Sequence, residues 1–217
     1  MDELITYVKE LLLSTGRDGM QDLVNNLEEL EYFSSPSSTR FHCSFPGGLM
    51  VHSLSMFSAF DKACNRYGLD VPQESRIIVG LLHDLCKAGS YVEKFTVGGM
   101  TYNYNRSRYG VGHAKFSLER IEQYIELTNQ EGVLIRFHMG MYGTSEFNVK
   151  RAEYSMAELS NAFNAMPETK LFYFCDDMSA QFMENGAMIA SGKEWFRPYV
   201  RELCRKLQLS GKRPTVV

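Results

Sequence analysis

Five histidines are spread along the chain, at His42, His52, His83, His113 and His138, and His83 is followed directly by an acid, Asp84. His52 falls in an apolar stretch entered through Gly47-Gly48-Leu49, and His83-Asp84 closes the apolar run from Ile77 to Leu82. Asp177 sits at the end of another such run, Leu171-Phe172-Tyr173-Phe174-Cys175. Imidazoles and carboxylates on apolar faces are costly to bury unless they are hydrogen-bonded or hold a metal. The His-Asp dipeptide alone is a weak motif. A metal ion would account for the whole set together.

Such residues need rigid elements to bring them together, and helical periodicity predicts most of these. Leu4, Ile5, Val8, Leu11 and Leu12 form one stripe, and Met20, Leu23, Leu27, Leu30 and Phe33 a second, with Gly16 and Gly19 between them. Together they read as a helical arm over residues 1–34. Ser34-Ser35-Pro36-Ser37-Ser38 is a loop inside one domain. The run 49–67 reads as a helix, and 73–87 as another with a wide apolar face. Over 91–105 the period changes, with Phe95, Val97, Met100, Tyr102 and Tyr104 alternating around Gly98-Gly99, which predicts a hairpin. Further helices are expected at 114–126, 129–139, 154–165, 167–185 and 194–208. The fold class is therefore all-α with one small β-hairpin near 91–105. The chain reads as a single domain over 1–217, with its helical core at 40–185 and a C-terminal helix and tail at 190–217.

Composition narrows the classes of function. With 217 residues, 23 basic and 26 acidic side chains and a net charge of −3, the chain has no overall field for nucleic acid or anionic lipid. About 70% of the unfolded surface can be buried at this size, so neither disulfide nor metal is needed merely to hold a core. The five cysteines, Cys43, Cys64, Cys86, Cys175 and Cys204, include no C-x-x-C pair and read as reduced, mostly buried thiols. The N-terminus lacks a secretory pattern and no apolar run reaches the ~18 residues of a membrane span, so a cytoplasmic protein without membrane contact is expected.

The order His, His-Asp, His, His, Asp carries a further signal in its flanks. The segments are Pro46-Gly47-Gly48-Leu49-Met50-Val51-His52-Ser53, Leu81-Leu82-His83-Asp84-Leu85-Cys86-Lys87, Gly112-His113, Arg136-Phe137-His138-Met139-Gly140 and Cys175-Asp176-Asp177-Met178-Ser179-Ala180. As an ordered set they resemble the HD-domain metal-dependent phosphohydrolase superfamily. Pro36 to His42 resembles the branch that contains exonuclease-type and phage-encoded HD proteins. The resemblance implies a helical HD bundle with one metal held by His52, His83, Asp84 and Asp177. It also implies that Asp84 bridges to a second ion held by His113 and His138. The chain departs from the pattern at Cys86, where relatives commonly carry glycine, and at Asp176, where they commonly carry alanine; Asp176 reads as supporting the ligands or as a surface acid.

Imidazole and carboxylate ligands suit a divalent transition metal, Mn, Fe, Co, Ni or Zn, and one or two such ions make a hydroxide nucleophile at neutral pH. Asp84, Lys87 and His113 are the candidate catalytic residues. Lys87 would place its ammonium on a phosphate oxygen, and in a one-metal enzyme His113 and His138 would contact substrate or donate a proton. His42 either faces the same pocket or is a loop histidine. Arg106 and Arg108 would clamp phosphate beside Tyr102 and Tyr104, which would stack a base; the alternative is a solvated hairpin with Lys94 and Tyr109. Arg201, Arg205, Lys206, Lys212 and Arg213 read as a solvated face and tail.

The expected function is hydrolysis of a phosphoester of a nucleotide or nucleic acid, as phosphomonoesterase or phosphodiesterase, with two metals. The alternatives are a one-metal 5′-nucleotidase-type enzyme and a non-catalytic nucleotide-binding HD module. A cysteine-dependent hydrolase using Cys86 or Cys43 lacks any supporting motif.

Overall fold

The computed structural model describes residues 1–97, 99–105, 112–150 and 152–183. Within them the chain is mostly helical, with one two-stranded antiparallel sheet, in line with the periodicity of the sequence. In the N-terminal arm, α1 (Asp2–Ser14) buries Leu4, Val8, Leu11 and Leu12, and α2 (Met20–Asn26) buries Met20, Leu23 and Val24. The second helix is shorter than its apolar stripe predicts. Glu31 takes a positive φ of 62° and turns the chain, and the buried Tyr32 hydroxyl donates to the Leu81 carbonyl at 2.7 Å. The chain thus leaves the helix where Tyr32 turns into the core.

The centre of the molecule is α3 (Gly48–Tyr67), whose residues 48–57 are all buried. It packs against α4 (Gln73–Leu82) and α8 (Pro167–Met178). Gly80 permits that approach, because a Cβ there would lie 2.8 Å from Phe57 Cα. The α-helix predicted to reach Lys87 ends at Leu82; Asp84 breaks it (φ −103°, ψ 19°) and a 3-10 turn, Leu85–Lys87, follows. Consecutive residues of a continuing α-helix point about 100° apart, and the changed φ of Asp84 takes it out of that register.

Strands β1 (Tyr91–Thr96) and β2 (Gly99–Tyr104) pair from Tyr91 opposite Tyr104 to Thr96 opposite Gly99. Gly99 therefore opens β2, and Gly98 lies outside the described residues. Such a hairpin is marginal alone; here Thr101 Oγ1 and Tyr91 Oη donate to the Thr39 and Ser37 carbonyls, anchoring it to the loop before α3. Helices α5 (His113–Ile121), α6 (Asn129–Phe137) and α7 (Met156–Ala165) complete the frame. Thr128 and Ser155 open α6 and α7 with capping boxes, closed by Glu131 and Glu158. Glu131 does more than cap, since it also accepts from both Arg17 guanidinium nitrogens and from Ser75 Oγ, tying the arm, α4 and α6 together.

Helix α8 begins on Pro167 and passes at Ser179–Met183 into a π-helical turn rather than continuing as the regular helix expected to residue 185. The helix expected at 194–208 and the basic cluster from Arg201 to Arg213 lie outside the described residues, as do Arg106, Arg108 and Tyr109. No helix among the described residues is long and apolar enough to cross a membrane.

Candidate metal centre

The site is assembled from four helices. His52 comes from the buried part of α3, His83 from the end of α4, His113 from the first residue of α5 and His138 from the residue after α6. Asp84, nearly fully buried, stands among them. Its Oδ2 lies 3.5 Å from both His52 Nε2 and His83 Nε2. Its Oδ1 lies 2.6 Å from His113 Nε2 and 3.5 Å from His138 Nε2. The donor atoms thus fall into two triads that share Asp84: His52, His83 and Asp84, and Asp84, His113 and His138.

The second nitrogen of each ring determines what the first can do. His83 Nδ1 meets the Gly80 carbonyl at 3.1 Å, and His138 Nδ1 meets the Ile135 carbonyl at 2.6 Å. A carbonyl only accepts, so in both rings Nδ1 carries a proton, and in the neutral form of each ring Nε2 carries the lone pair. Burial lowers the His83 pKa to about 4, against the opposing pull of Asp84 and Asp176, which keeps this ring neutral at pH 7. Neither His83 Nε2 nor His138 Nε2 makes a hydrogen bond, although both are buried. Each points a lone pair at a carboxylate oxygen, an arrangement that is costly in a dry interior and that a cation between them relieves. The cluster of His52, His83, Asp84, His113 and His138 can therefore hold a metal ion.

Charge in the cluster is balanced at close range. Burial would raise the Asp84 pKa, but Lys87, His83 and His113 outweigh it and hold this carboxyl well below the usual range. Lys87 Nζ lies 2.6 Å from Asp84 Oδ2; burial works against its charge and Asp84 prevails, raising the pKa. His113 differs from the other rings. Its Nδ1 faces a sulfur, Cys86 Sγ at 3.2 Å, rather than a carbonyl. Burial would lower its pKa, yet Cys86 and Asp84 together raise it well above the ordinary value.

The two adjacent acids of α8 take different positions beside the site. The carboxylate that reaches the cluster is Asp176, with Oδ1 3.1 Å from His52 Nε2 and 3.8 Å from His83 Nε2. Burial opposes its ionisation, and the hydrogen bond and charge of His52 reverse that and lower the pKa. Asp177, the ligand that the resemblance implies, lines the neighbouring cleft, and like Asp176 it belongs to neither triad; what distinguishes Asp176 is its approach to His52. The reason is helical register. Asp176 lies four residues beyond Phe172, whose ring centroid is 5.9 Å from that of His83, whereas Asp177 follows Tyr173. The spacing Thr169, Phe172, Asp176 along one face of α8 is the signal that could have found the first acid.

The cluster opens onto a cleft of about 1210 Å³. His113, His138, Lys87 and Asp176 line its inner part, and His42 joins them with its ring centroid 4.6 Å from that of His52. Tyr91 and Tyr104 from the hairpin contribute one stretch of wall, and Tyr142, Phe147 and Lys150 another. Tyr102 is instead buried beneath the hairpin, and Lys94 is exposed on it. Cys86 touches His113, which touches Asp84, but its sulfur is buried and the residue does not line the cleft. Cys43 is buried beside the start of α3. Glu153, which no motif singled out, accepts from the backbone N–H groups that open α5.

No protein-family model, no curated protein and no solved structure matches the chain.

Proposed function

We propose that the protein is a metal-dependent phosphohydrolase of the HD type, cleaving a phosphoester of a nucleotide or nucleic acid. The observation that carries this reading is the pair of buried lone pairs, His83 Nε2 and His138 Nε2, set against opposite oxygens of Asp84. His52, His83 and Asp84 would hold one ion, with Asp176 beside them, and Asp84, His113 and His138 a second. When bound, a divalent transition metal such as Mn, Fe, Co, Ni or Zn supplies Lewis-acid polarisation of a phosphoryl oxygen and a nucleophile from water at neutral pH. The chain does the rest. Lys87 holds an ammonium at the inner wall of the cleft, within reach of a non-bridging oxygen. The aromatic and amide groups of the outer walls give a base or sugar surfaces to rest on.

One observation favours a second reading within the same class. His113 is held by Asp84 at Nε2 and by Cys86 at Nδ1, and its charged form is favoured. A protonated ring at that place would keep Nε2 from a second ion and leave His113 to contact substrate from the cleft wall or to give up a proton there, which fits a one-metal enzyme. Elemental analysis of protein loaded with Mn²⁺ separates the two, because two ions per chain falling to one in His113→Ala supports the binuclear centre. One ion unchanged by that substitution supports the single-metal form. Assayed with bis(p-nitrophenyl) phosphate and with nucleoside monophosphates, Asp84→Ala should lose about a thousandfold in rate, about 4 kcal/mol of transition-state stabilisation. Activity retained in Asp84→Ala, or unaffected by a chelator, would overturn the proposal.

A further inference from the structure

His113 opens α5, and the start of that helix has no cap of its own. The preceding residue is Gly112, with φ 88° and no side chain to accept a hydrogen bond, and the first turn contains no acid. The unsatisfied N–H groups at a helix start need acceptors. Glu153 supplies them from forty residues away. Its Oε1 accepts from His113 N at 2.5 Å, and its Oε2 accepts from Ala114 N at 2.9 Å and from Lys115 N at 3.2 Å.

Glu153 is itself fixed at its backbone. Its N–H donates to the Gly143 carbonyl at 2.9 Å, and Arg136 Nη2 donates to its carbonyl at 3.4 Å. Tyr154, the next residue, donates its hydroxyl to the Gly140 carbonyl at 3.0 Å. Gly140 and Gly143 bound the 3-10 turn that follows His138. The carboxylate therefore joins the segment after one imidazole of the second triad to the helix that carries the other.

We propose that Glu153 is a positioning residue, whose carboxylate sets the start of α5 and so places the His113 ring between Asp84 and Cys86. Its consequence for catalysis rests on the metal-dependent reading above. Groups that orient ligands in this indirect way commonly change metal affinity by about 10- to 100-fold, and a carboxylate at a helix N-terminus also complements the helix dipole.

The decisive measurement is the position of the imidazole carbon-proton signals of His113 in the NMR spectrum of metal-free protein, in wild type, Glu153→Gln and Glu153→Asp. Ser155→Ala, which removes the cap of α7 two residues away, serves as the control for general loosening. Glu153→Gln should move the His113 signals, leave those of His52 and His83 in place, and be largely rescued by Glu153→Asp. Ser155→Ala should leave them all in place.

Mn²⁺ titration supplies the second arm. Glu153→Gln should weaken the binding event or lower the kcat that His113→Ala also affects, by about tenfold, and should add nothing in the His113→Ala background. Unmoved His113 signals, equal movement of every histidine, or an undiminished effect in the His113→Ala background would each overturn the proposal. Absence of Mn²⁺ uptake by the wild type would instead defeat the metal reading, with the NMR result still deciding the role of Glu153.

Discussion

Asp84 sits between two pairs of imidazoles because each of its oxygens faces a different pair. The imidazoles beside it differ in what holds Nδ1. His83 and His138 are fixed by backbone carbonyls at Nδ1, whereas His113 is bounded by a carboxylate and a sulfur. The adjacent acids of α8 give a sharp test at this scale. Asp176→Asn should weaken Mn²⁺ binding at the His52 and His83 pair by about 10- to 100-fold, and Asp177→Asn should leave it close to wild type. Calorimetric titration of the two variants checks this, and the opposite ranking would return the ligand role to Asp177.

The elements set how closely these residues approach. Helices α3 and α4 meet across Gly80, where an added Cβ would strike Phe57 backbone and side-chain atoms at 2.8 Å. Gly80→Ala should therefore cost about 1–3 kcal/mol in denaturant unfolding. Because His52 and His83 ride on these two helices, Mn²⁺ affinity should fall with it. A second tie lies at Glu131. Burial works against its ionisation, but hydrogen bonds from Arg17, Thr128 and Ser75 and the Arg17 charge lower its pKa below the unfolded value of 4.5. Since the folded state holds this proton less tightly, Glu131 stabilises the protein above pH 4.5, and that contribution is lost as pH falls through the depressed folded value. Glu131→Gln should lose about 3 kcal/mol at neutral pH. Its melting temperature should also vary less than that of wild type below pH 4.5, as measured by thermal melts across that range.

For the whole molecule, an ion that binds only the folded chain adds stability to every element the cluster joins. Mn²⁺ at a hundred times its dissociation constant should add about 2.7 kcal/mol, or about 5–10 °C in melting temperature for a chain of this length. A chelator should reverse the shift, and Asp84→Ala should abolish it. An unchanged melting temperature across the series would count against a metal in this cluster.

The sequence by itself determined the helical class, the hairpin and the short set of residues able to do chemistry, because apolar periodicity and the cost of burying polar groups are local properties of the chain. His52, His83 and Asp84 were legible in that way, whereas His113 and His138 were assigned a ligand role only by the resemblance of the ordered motifs to the HD superfamily. Only the tertiary structure decided which acid of α8 meets His52, since one residue of helical register separates Asp176 from Asp177 and packing of Phe172 against His83 selects between them. It also decided that α4 breaks at Asp84 and that Cys86 faces His113. Glu153 was invisible for a physical reason: its carboxylate accepts from three backbone amides of a helix forty residues away, and backbone partners leave no mark on side-chain spacing.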